Sequence, residues 1–229
     1  MTMVAREPMS QAPPKPLPAA PGELPPSPAV RRLSLYLRQL EAFLESGRKT
    51  VSSRDLGNAL GLGDAQVRKD LTAFGSFGHP GVGYDALVLA GELRHILGTD
   101  KTWPTVLVGV GNIGRALMAY GRFEGRGFRV VAALDADLDR VNTRVGSVVV
   151  QHVDDLDDAV RASHARLAVL AVPEAHAQSV AESLVRAGIR GILNFAPVRL
   201  DLPKDVSVID VDLGAQLEQL AFHVRAAHG

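Results

Sequence analysis

The stretch "VLVGVGNIGRAL", from Val106 to Leu117, decides the fold of the second half of the chain. An apolar, strand-like run leads into three glycines spaced as G-x-G-x-x-G, and a helical pattern follows them. The first glycine of such a motif permits a tight turn, the second lets a pyrophosphate approach the backbone, and the third lets the helix pack closely on the strand. The phosphates then meet free N–H groups at the helix N-terminus. We therefore predict a dinucleotide loop made of Gly109, Val110, Gly111, Asn112, Ile113 and Gly114.

An acidic residue stands where this kind of site needs one. Asp135 ends the next predicted strand, 21 positions after Gly114, where a ribose-binding carboxylate is expected. A carboxylate accepts hydrogen bonds from a ribose 2′-hydroxyl but repels a 2′-phosphate, so the prediction is NADH or NAD+ rather than the phosphorylated forms. The alternative is that Asp135 is only a turn residue at a strand end and that the glycines only tighten the turn.

The pattern from Thr105 onward alternates between apolar strands and helices. This alternation predicts a mostly parallel sheet covered on both faces, that is, a Rossmann domain in residues 101–212 of an α/β protein. An amphipathic helix is expected in residues 213–229. The predicted strands are "TVLVGV", "RVVAAL", "SVVVQHV", "RLAVLAV", "GILNF" and "VSVID".

Residues 29–100 have a mostly helical pattern that predicts a second domain. Apolar residues recur at helical spacing in "RRLSLYLRQLEAFL", and two short helical segments flank the turn "GLG" at Gly61 to Gly63. Two short helices around a glycine-containing turn indicate a helix-turn-helix. The glycine-rich "GSFGHPGVGYD" then suits the hairpin of a winged helix, and "DALVLAGELRHILG" is expected to be a closing helix.

The second short helix is predicted to carry a DNA-reading face. Val67, Leu71 and Phe74 share one face, which leaves polar side chains on the other. Arginine can bond bidentately to guanine, glutamine to adenine, and lysine to phosphate. The alternative is an ordinary solvated face, which the setting in a winged helix-turn-helix disfavours. The predicted DNA-binding residues are Gln66, Arg68, Lys69 and Thr72.

Composition excludes several classes of protein. The chain has no cysteine, which rules out a disulfide framework and thiolate metal sites, and no metal site is predicted. Lys plus Arg equals Asp plus Glu, at 25 each, so any DNA binding must come from a local patch. No apolar run is long enough for a membrane span, and no signal-peptide pattern is present, so a cytoplasmic protein is expected. Residues 1–28 hold nine of the fourteen prolines and are predicted to be a disordered tail.

The chain lacks what a dehydrogenase needs beside its nicotinamide. Such enzymes use a proton donor, commonly His with an acid or Tyr with Lys. No Tyr-x-x-x-Lys occurs, and the histidines after residue 150 have no partner at a recognisable spacing. We therefore predict that the protein is not an enzyme. An NAD-dependent dehydrogenase with a helical N-terminal appendage is the alternative, and a DNA-binding Rossmann module without redox sensing is a third.

The motifs together resemble the redox-sensing transcriptional repressor family Rex. The resemblance rests on "LYLRQLE", "VSSRDLGNALGL", "QVRKDLTAFGSFG", "GVGYD", "LRHILG", "VGVGNIGRAL", "NFAPV" and "VDL", which occur in the family's order from about residue 29 onward. It implies a homodimer with an N-terminal winged helix, a C-terminal Rossmann domain and a terminal helix swapped onto the partner. It also implies binding to an inverted-repeat operator, with release by NADH and hence sensing of the NADH/NAD+ ratio.

The resemblance also implies roles for single residues. Arg38, Tyr120 and Asp212 match positions where the family forms a domain-bridging contact that changes when nicotinamide binds. The local alternative for Arg38 is a surface ion pair with Glu41 or Glu45, and the alternative for Tyr120 is core packing. Residues of the "NFAP" segment, which follows the fifth strand at the ligand-binding edge of the sheet, are expected to contact the cofactor: Asn194, Phe195 and Ala196.

Overall fold

The computed structural model describes residues 27–78, 82–121 and 123–228. Its contacts divide the chain into two compact units, Met1–Asp100 and Lys101–Gly229. The proline-rich tail predicted for residues 1–28 lies almost wholly outside the described residues.

The N-terminal unit is a helical domain with the predicted helix-turn-helix. A capping box begins the first short helix, because the Ser52 side chain accepts from the Asp55 N–H and the Asp55 carboxylate accepts from the Ser52 N–H. Gly61, in the left-handed region at φ +67°, ends that helix and opens the turn. The helices of this unit are α1 (Ser27–Glu45), α2 (Ser53–Leu60), α3 (Asp64–Phe74) and α4 (Ala86–Ile96).

The core of this unit follows the predicted apolar stripes. Leu33, Tyr36 and Leu40 of α1 are fully buried, and Leu37 and Leu44 pack against the same core at partial exposure. The inward faces of the other three helices complete the core with Leu56, Val67, Leu71, Phe74, Leu89 and Leu93.

The strand pairing of this unit joins the glycine-rich segment to the chain before α2. The strand β2 (Tyr84–Asp85) pairs antiparallel with β1 (Thr50–Val51). The hairpin predicted within the glycine-rich segment falls partly on residues 79–81, which lie outside the described residues. Gly83 explains this close approach: its φ is +90°, and a Cβ there would lie 2.7 Å from the Val51 carbonyl oxygen. The pairing joins segments far apart in sequence, so local turn chemistry could not show it.

The C-terminal unit contains the predicted Rossmann sheet. Seven strands lie in the order β5-β6-β4-β3-β7-β8-β9, and all neighbouring pairs are parallel except β5 with β6. Six of the strands coincide with the six predicted apolar runs. The strands are β3 (Trp103–Val108), β4 (Phe128–Asp135), β5 (Arg144–Val145), β6 (Val148–His152), β7 (Leu167–Leu170), β8 (Gly191–Asn194) and β9 (Ser207–Asp210).

Strand order places a ligand crevice beside the glycine loop. The chain runs from β3 outward to β4 and β6, then returns to the other side of β3 at β7, so the strand order reverses between β3 and β7. Ligands of open α/β sheets bind at this reversal, outside the carboxyl ends of the strands. The helices of this unit are α5 (Asn112–Ala119), α6 (Leu156–Ser163), α7 (Glu174–Ala187) and α8 (Leu213–His228).

Within the described ranges, no helix has the length and apolar character needed to cross a bilayer.

Candidate functional site

Two of the three motif glycines are required by the fold itself. Gly109 has φ +94°, and a Cβ at this position would lie 2.3 Å from the carbonyl oxygen of Ala171. A Cβ at Gly114 would lie 2.0 Å from the carbonyl oxygen of Gly109. Both distances are far below van der Waals contact, so these two glycines let the β3–α5 turn and the first turn of α5 pack against their neighbours.

Gly111 differs, because nothing in the protein crowds it. The nearest atom to a Cβ built there is Nη1 of Arg140, at 3.9 Å. The open space belongs to a cavity of about 630 Å³ at the carboxyl ends of the strands. A glycine that no protein atom requires, at the mouth of a cavity and at the N-terminus of α5, fits a group that must approach the backbone from outside, as a pyrophosphate does.

Asp135 is buried beneath this cavity and contacts the glycine loop. Its Oδ2 accepts from the Val110 N–H at 2.6 Å, its Oδ1 accepts from the Asp137 N–H at 2.9 Å, and Arg140 Nη1 lies 3.1 Å from Oδ2. Burial alone would raise the pKa of Asp135, but the two backbone hydrogen bonds and the Arg140 guanidinium outweigh it and hold the pKa below its ordinary value. The side chain is therefore a carboxylate at neutral pH, as recognition of a ribose hydroxyl requires.

The other residues predicted to hold the cofactor fall into two groups. Gly109, Gly111, Asn112, Ile113, Asp135 and Phe195 line the cavity. Val110, Gly114, Asn194 and Ala196 are buried and do not line it. The Asn194 amide donates to the Val198 carbonyl and to Asp210, and its carbonyl accepts from the Ala196 N–H, so these bonds connect β8 to β9 and to the following turn. Direct ligand contact by these residues stays a prediction.

Sequence reasoning missed several polar residues of the cavity wall. Arg140 lies five residues after Asp135 and contacts both Asp135 and Asp137. His176 and Ser179 of α7 also line the cavity, as do the apolar residues Val153, Ala171, Val172, Val180 and Pro197. An arginine just beyond the acidic strand end was a usable signal, because arginine near this position accommodates a 2′-phosphate in other Rossmann proteins.

The outer face of α3 presents most of the predicted DNA-binding side chains to solvent. Arg68, Lys69 and Thr72 are exposed. Arg68 and Thr72 line a groove of about 500 Å³ between α3, the start of α2 and the segment before β2. The Arg68 guanidinium is held by Asp64 at 2.8 Å and by the Ser53 hydroxyl at 3.2 Å. The face therefore offers one oriented arginine and one lysine to a polyanion.

Gln66 departs from the predicted outward direction. It is half-buried, and its amide donates to Asp70 at 2.7 Å. Asp70 also accepts from Arg32 at 2.5 and 2.8 Å and from the Tyr36 hydroxyl at 2.7 Å. The hydrogen bond from Arg32 is the main cause that lowers the pKa of Asp70, against the opposing effect of burial. This buried network fixes α3 to α1, and Gln66 belongs to it.

The three residues of the family's bridging contact lie on different units. Arg38 of α1 is exposed, and Glu41, one of its expected local partners, accepts instead from Arg94 at 2.8 Å. Tyr120 follows α5 as its C-cap residue, is about half exposed and makes an edge contact with Phe123. Asp212 precedes α8 and accepts from the Ala215 N–H at 2.9 Å. A contact among them stays a prediction.

No group of three or more His, Asp or Glu side chains suited to a metal ion occurs among the residues that the structure describes.

Comparisons with known proteins match both units. A family model described as "Putative DNA-binding protein N-terminus" matches residues 26–72, and one described as "CoA binding domain" matches residues 100–198. The redox-sensing transcriptional repressor Rex of Carboxydothermus hydrogenoformans is 45% identical over 200 residues, which cover 87% of this chain and 96% of that protein. The Rex of Rhodopirellula baltica is 44% identical over 199 residues, covering 87% and 84%. This chain belongs to the Rex family.

Solved Rex-family structures agree with the fold. A crystal structure of RSP in complex with beta-NAD+ and operator DNA superposes with a TM-score of 0.84 at 35% identity, covering 89% of this chain and 94% of that one. RSP in complex with beta-NADH gives a TM-score of 0.81 at 33% identity, covering 89% and 95%. The predicted α/β fold and family are thereby confirmed, and the relatives are named as transcriptional repressors rather than enzymes.

Proposed function

We propose that this chain is a Rex-type repressor that binds operator DNA and is released by NADH. The observation that carries the proposal is the presence, in one chain, of a dinucleotide cavity at a glycine loop and an exposed arginine–lysine face on a recognition helix. The Rex relatives are named as transcriptional repressors rather than enzymes, which argues against the dehydrogenase alternative. The protein therefore senses the cofactor and does not use it in a catalysed reaction.

We assign residues 29–100 to the DNA-binding domain, 101–212 to the Rossmann domain, and 213–229 to a swapped terminal helix. The division of contacts between Asp100 and Lys101 supports the first boundary. Arg68 supplies a planar fork for a guanine edge, Lys69 a cation for phosphate, and Thr72 a hydroxyl within the groove. A repressor of this kind acts on chromosomal DNA, and we place it in the cytoplasm.

Redox discrimination must lie at the nicotinamide, because NADH and NAD+ share the adenosine diphosphate half. Asp135 and the glycine loop therefore supply affinity but no discrimination. The walls that follow β7 and β8 are largely apolar, formed by Ala171, Val172, Phe195 and Pro197. Burying a cationic ring there without a partner costs free energy, so the neutral ring of NADH is favoured. NADH would then stabilise the conformation that it binds more tightly.

A second copy of the chain is the proposed partner of α8. Large apolar side chains along this helix are more than half exposed in the single chain: Leu213, Leu217, Leu220, Phe222 and Val224. Leu213, Leu217, Leu220 and Val224 share one face at helical spacing, and an exposed apolar stripe of this length is typical of an interface. A homodimer would present two recognition helices to the two halves of an inverted repeat. We propose that Arg38, Tyr120 and Asp212 form the contact that changes when NADH binds.

A gel-shift titration of the operator complex tests the proposal. NADH is expected to dissociate the complex at much lower concentration than NAD+, and equal effects, or none, would reject redox sensing.

Arg68→Ala is expected to abolish operator binding while NADH binding persists. Arg161→Ala, which removes an exposed arginine of the other unit, is the matched control. Loss of both activities in Arg68→Ala would indicate misfolding. Turnover of NADH with any substrate would support the dehydrogenase alternative.

A further inference from the structure

Arg140 lies on the cavity wall at the place where the ribose of the proposed cofactor would meet Asp135. Its Nη1 is 3.1 Å and 3.4 Å from the two carboxylate oxygens of Asp135, and its Nε is 3.3 Å from Oδ2 of Asp137. The same Nη1 is the nearest protein atom to the open side of Gly111. The guanidinium therefore spans the space between the acidic strand end and the phosphate loop.

Arg140, Asp135 and Asp137 together contain both kinds of group that Rossmann proteins use to recognise the ribose. Rossmann proteins that take NAD place a carboxylate on the 2′-hydroxyl, whereas those that take NADP place an arginine where it accommodates the 2′-phosphate. Here both groups are present and paired with each other. Two carboxylates against one guanidinium leave one net negative charge, which repels a phosphate.

We propose that Arg140 is a latent 2′-phosphate-binding residue, and that the carboxylates of Asp135 and Asp137 hold it in the state that selects the unphosphorylated ribose. The inference rests on the proposed binding of NAD(H) and deepens it. Removal of the Asp135 charge releases Nη1, which contacts both carboxylate oxygens of that side chain. Removal of the Asp137 charge releases Nε. The guanidinium can then donate to phosphate as a charge-assisted fork.

The two acids differ in structural risk, which determines the choice of variants. Asp135 is buried and also accepts from the Val110 and Asp137 N–H groups, so its replacement disturbs the loop. Asparagine retains one oxygen acceptor there. Asp137 is 43% exposed, and its side chain also accepts from the Asp139 N–H, a backbone hydrogen bond that asparagine can keep. Asp137→Asn is therefore the variant that changes charge with the smaller structural effect.

Binding of ADP-ribose and of its 2′-phosphate to the purified full-length protein tests the proposal without involving the nicotinamide. Calorimetry is performed on the wild type, on Asp137→Asn, on Asp135→Asn and on the double variant. The single variants each remove one negative charge beside Arg140, and the double variant removes two. The affinity for the 2′-phosphate relative to the plain ligand is expected to rise along the series, by roughly tenfold or more in the double variant, which corresponds to removal of two nearby repulsive charges. Thermal unfolding of each variant reports whether it is folded.

Arg140 variants separate a phosphate contact from a general charge effect. Arg140→Gln added to Asp135→Asn/Asp137→Asn is expected to abolish the gain, and Arg140→Lys is expected to retain part of it. A gain that persists in the Gln variant would overturn the role of Arg140. The proposal would also be overturned if the folded Asp137→Asn and double variants keep the wild-type ratio of affinities for the 2′-phosphate and for ADP-ribose. If the wild type binds neither ligand and no NADH, the proposed function itself fails, and that result is distinct from an unchanged ratio.

Discussion

Asp70 of the N-terminal unit and Asp135 of the C-terminal unit are both buried carboxylates, 4% and 7% exposed, and each contacts an arginine. Their remaining donors differ. Asp70 accepts only from side chains, those of Arg32, Tyr36 and Gln66. Asp135 accepts from backbone N–H groups of the glycine loop and of its own turn, together with an arginine on a cavity wall.

The difference separates a carboxylate that holds helices together from one that is available to a ligand. The donors to Asp70 among the described residues lie on α1 and α3, so its charge is used to fix the recognition helix within its own domain. Asp135 is held by the loop that would bind phosphate, and its arginine is 38% exposed at the cavity. A ligand that arrives can compete for Asp135 or for Arg140, whereas Asp70 lines neither this cavity nor the groove beside α3.

The largest expected effect is the loss of stability in Asp70→Ala. Removal of one member of a buried pair leaves the other charge without compensation and costs about 3–5 kcal/mol. Because the Arg32 side chain is 26% exposed, we expect a loss near the lower limit. Urea denaturation followed by circular dichroism measures it. Asp157→Ala, which breaks an exposed i,i+4 pair with Arg161, is the control, and an equal loss in both variants would contradict the role given to the Asp70 network.

Substitutions of Gly114 and Gly111 separate the loop glycine that packing requires from the one that faces the cavity. Gly114→Ala places a methyl group against the Gly109 carbonyl, and this overpacking is expected to destabilise the unit by about 2 kcal/mol. Gly111→Ala meets open space, so its unfolding midpoint should match that of the wild type. Its NADH affinity is nevertheless expected to fall by roughly tenfold, equivalent to about 1.4 kcal/mol. Unchanged NADH binding in a folded Gly111→Ala protein would contradict the pyrophosphate assignment.

Local patterns predicted the elements of the fold but not the pairings between distant segments. The two short helices around Gly61 to Gly63 and the six apolar strands all follow from neighbouring residues. The pairing of β1 with β2 and the short antiparallel β5 depend on contacts that periodicity does not encode. The glycine loop and Asp135 were identified together because their spacing is itself a motif.

The side-chain networks of the site were harder to predict, although one signal was present. Asp70 follows Val67 by three positions and precedes Phe74 by four, so it falls on the inward stripe of α3. A carboxylate on that stripe implies a buried partner, but nothing local indicates that the partner is Arg32, 38 residues earlier. The inward turn of Gln66 follows from the same network, and so could not be predicted from its own position.

Acid unfolding tests a property that the two aspartates share. The pKa values of Asp70 and Asp135 both lie below the ordinary value of 3.8. Each carboxylate therefore contributes stability that is present above about pH 4 and is lost as the pH falls through the lowered pKa. When urea unfolding is measured between pH 7 and pH 3, the urea concentration at the midpoint is expected to decrease once the pH is lower than about 4. This decrease should be smaller in Asp70→Asn than in the wild type. An identical pH profile in the variant would mean that Asp70 has no lowered pKa.

The smallest expected effect on stability concerns Asp64, which contacts Arg68 on the solvent side of α3. Both side chains are exposed, so Asp64→Ala should leave the unfolding midpoint unchanged. It removes a negative charge from the DNA-facing helix and frees the guanidinium, so affinity for non-operator DNA should rise by roughly threefold at fixed salt. The ratio of operator to non-operator affinity should fall, because Asp64 no longer orients the arginine that reads a base. Filter binding to operator and non-operator DNA measures this ratio. Ser53→Ala is the matched variant, because it removes the other partner of Arg68. A rise in affinity with an unchanged ratio would show that Asp64 affects charge alone.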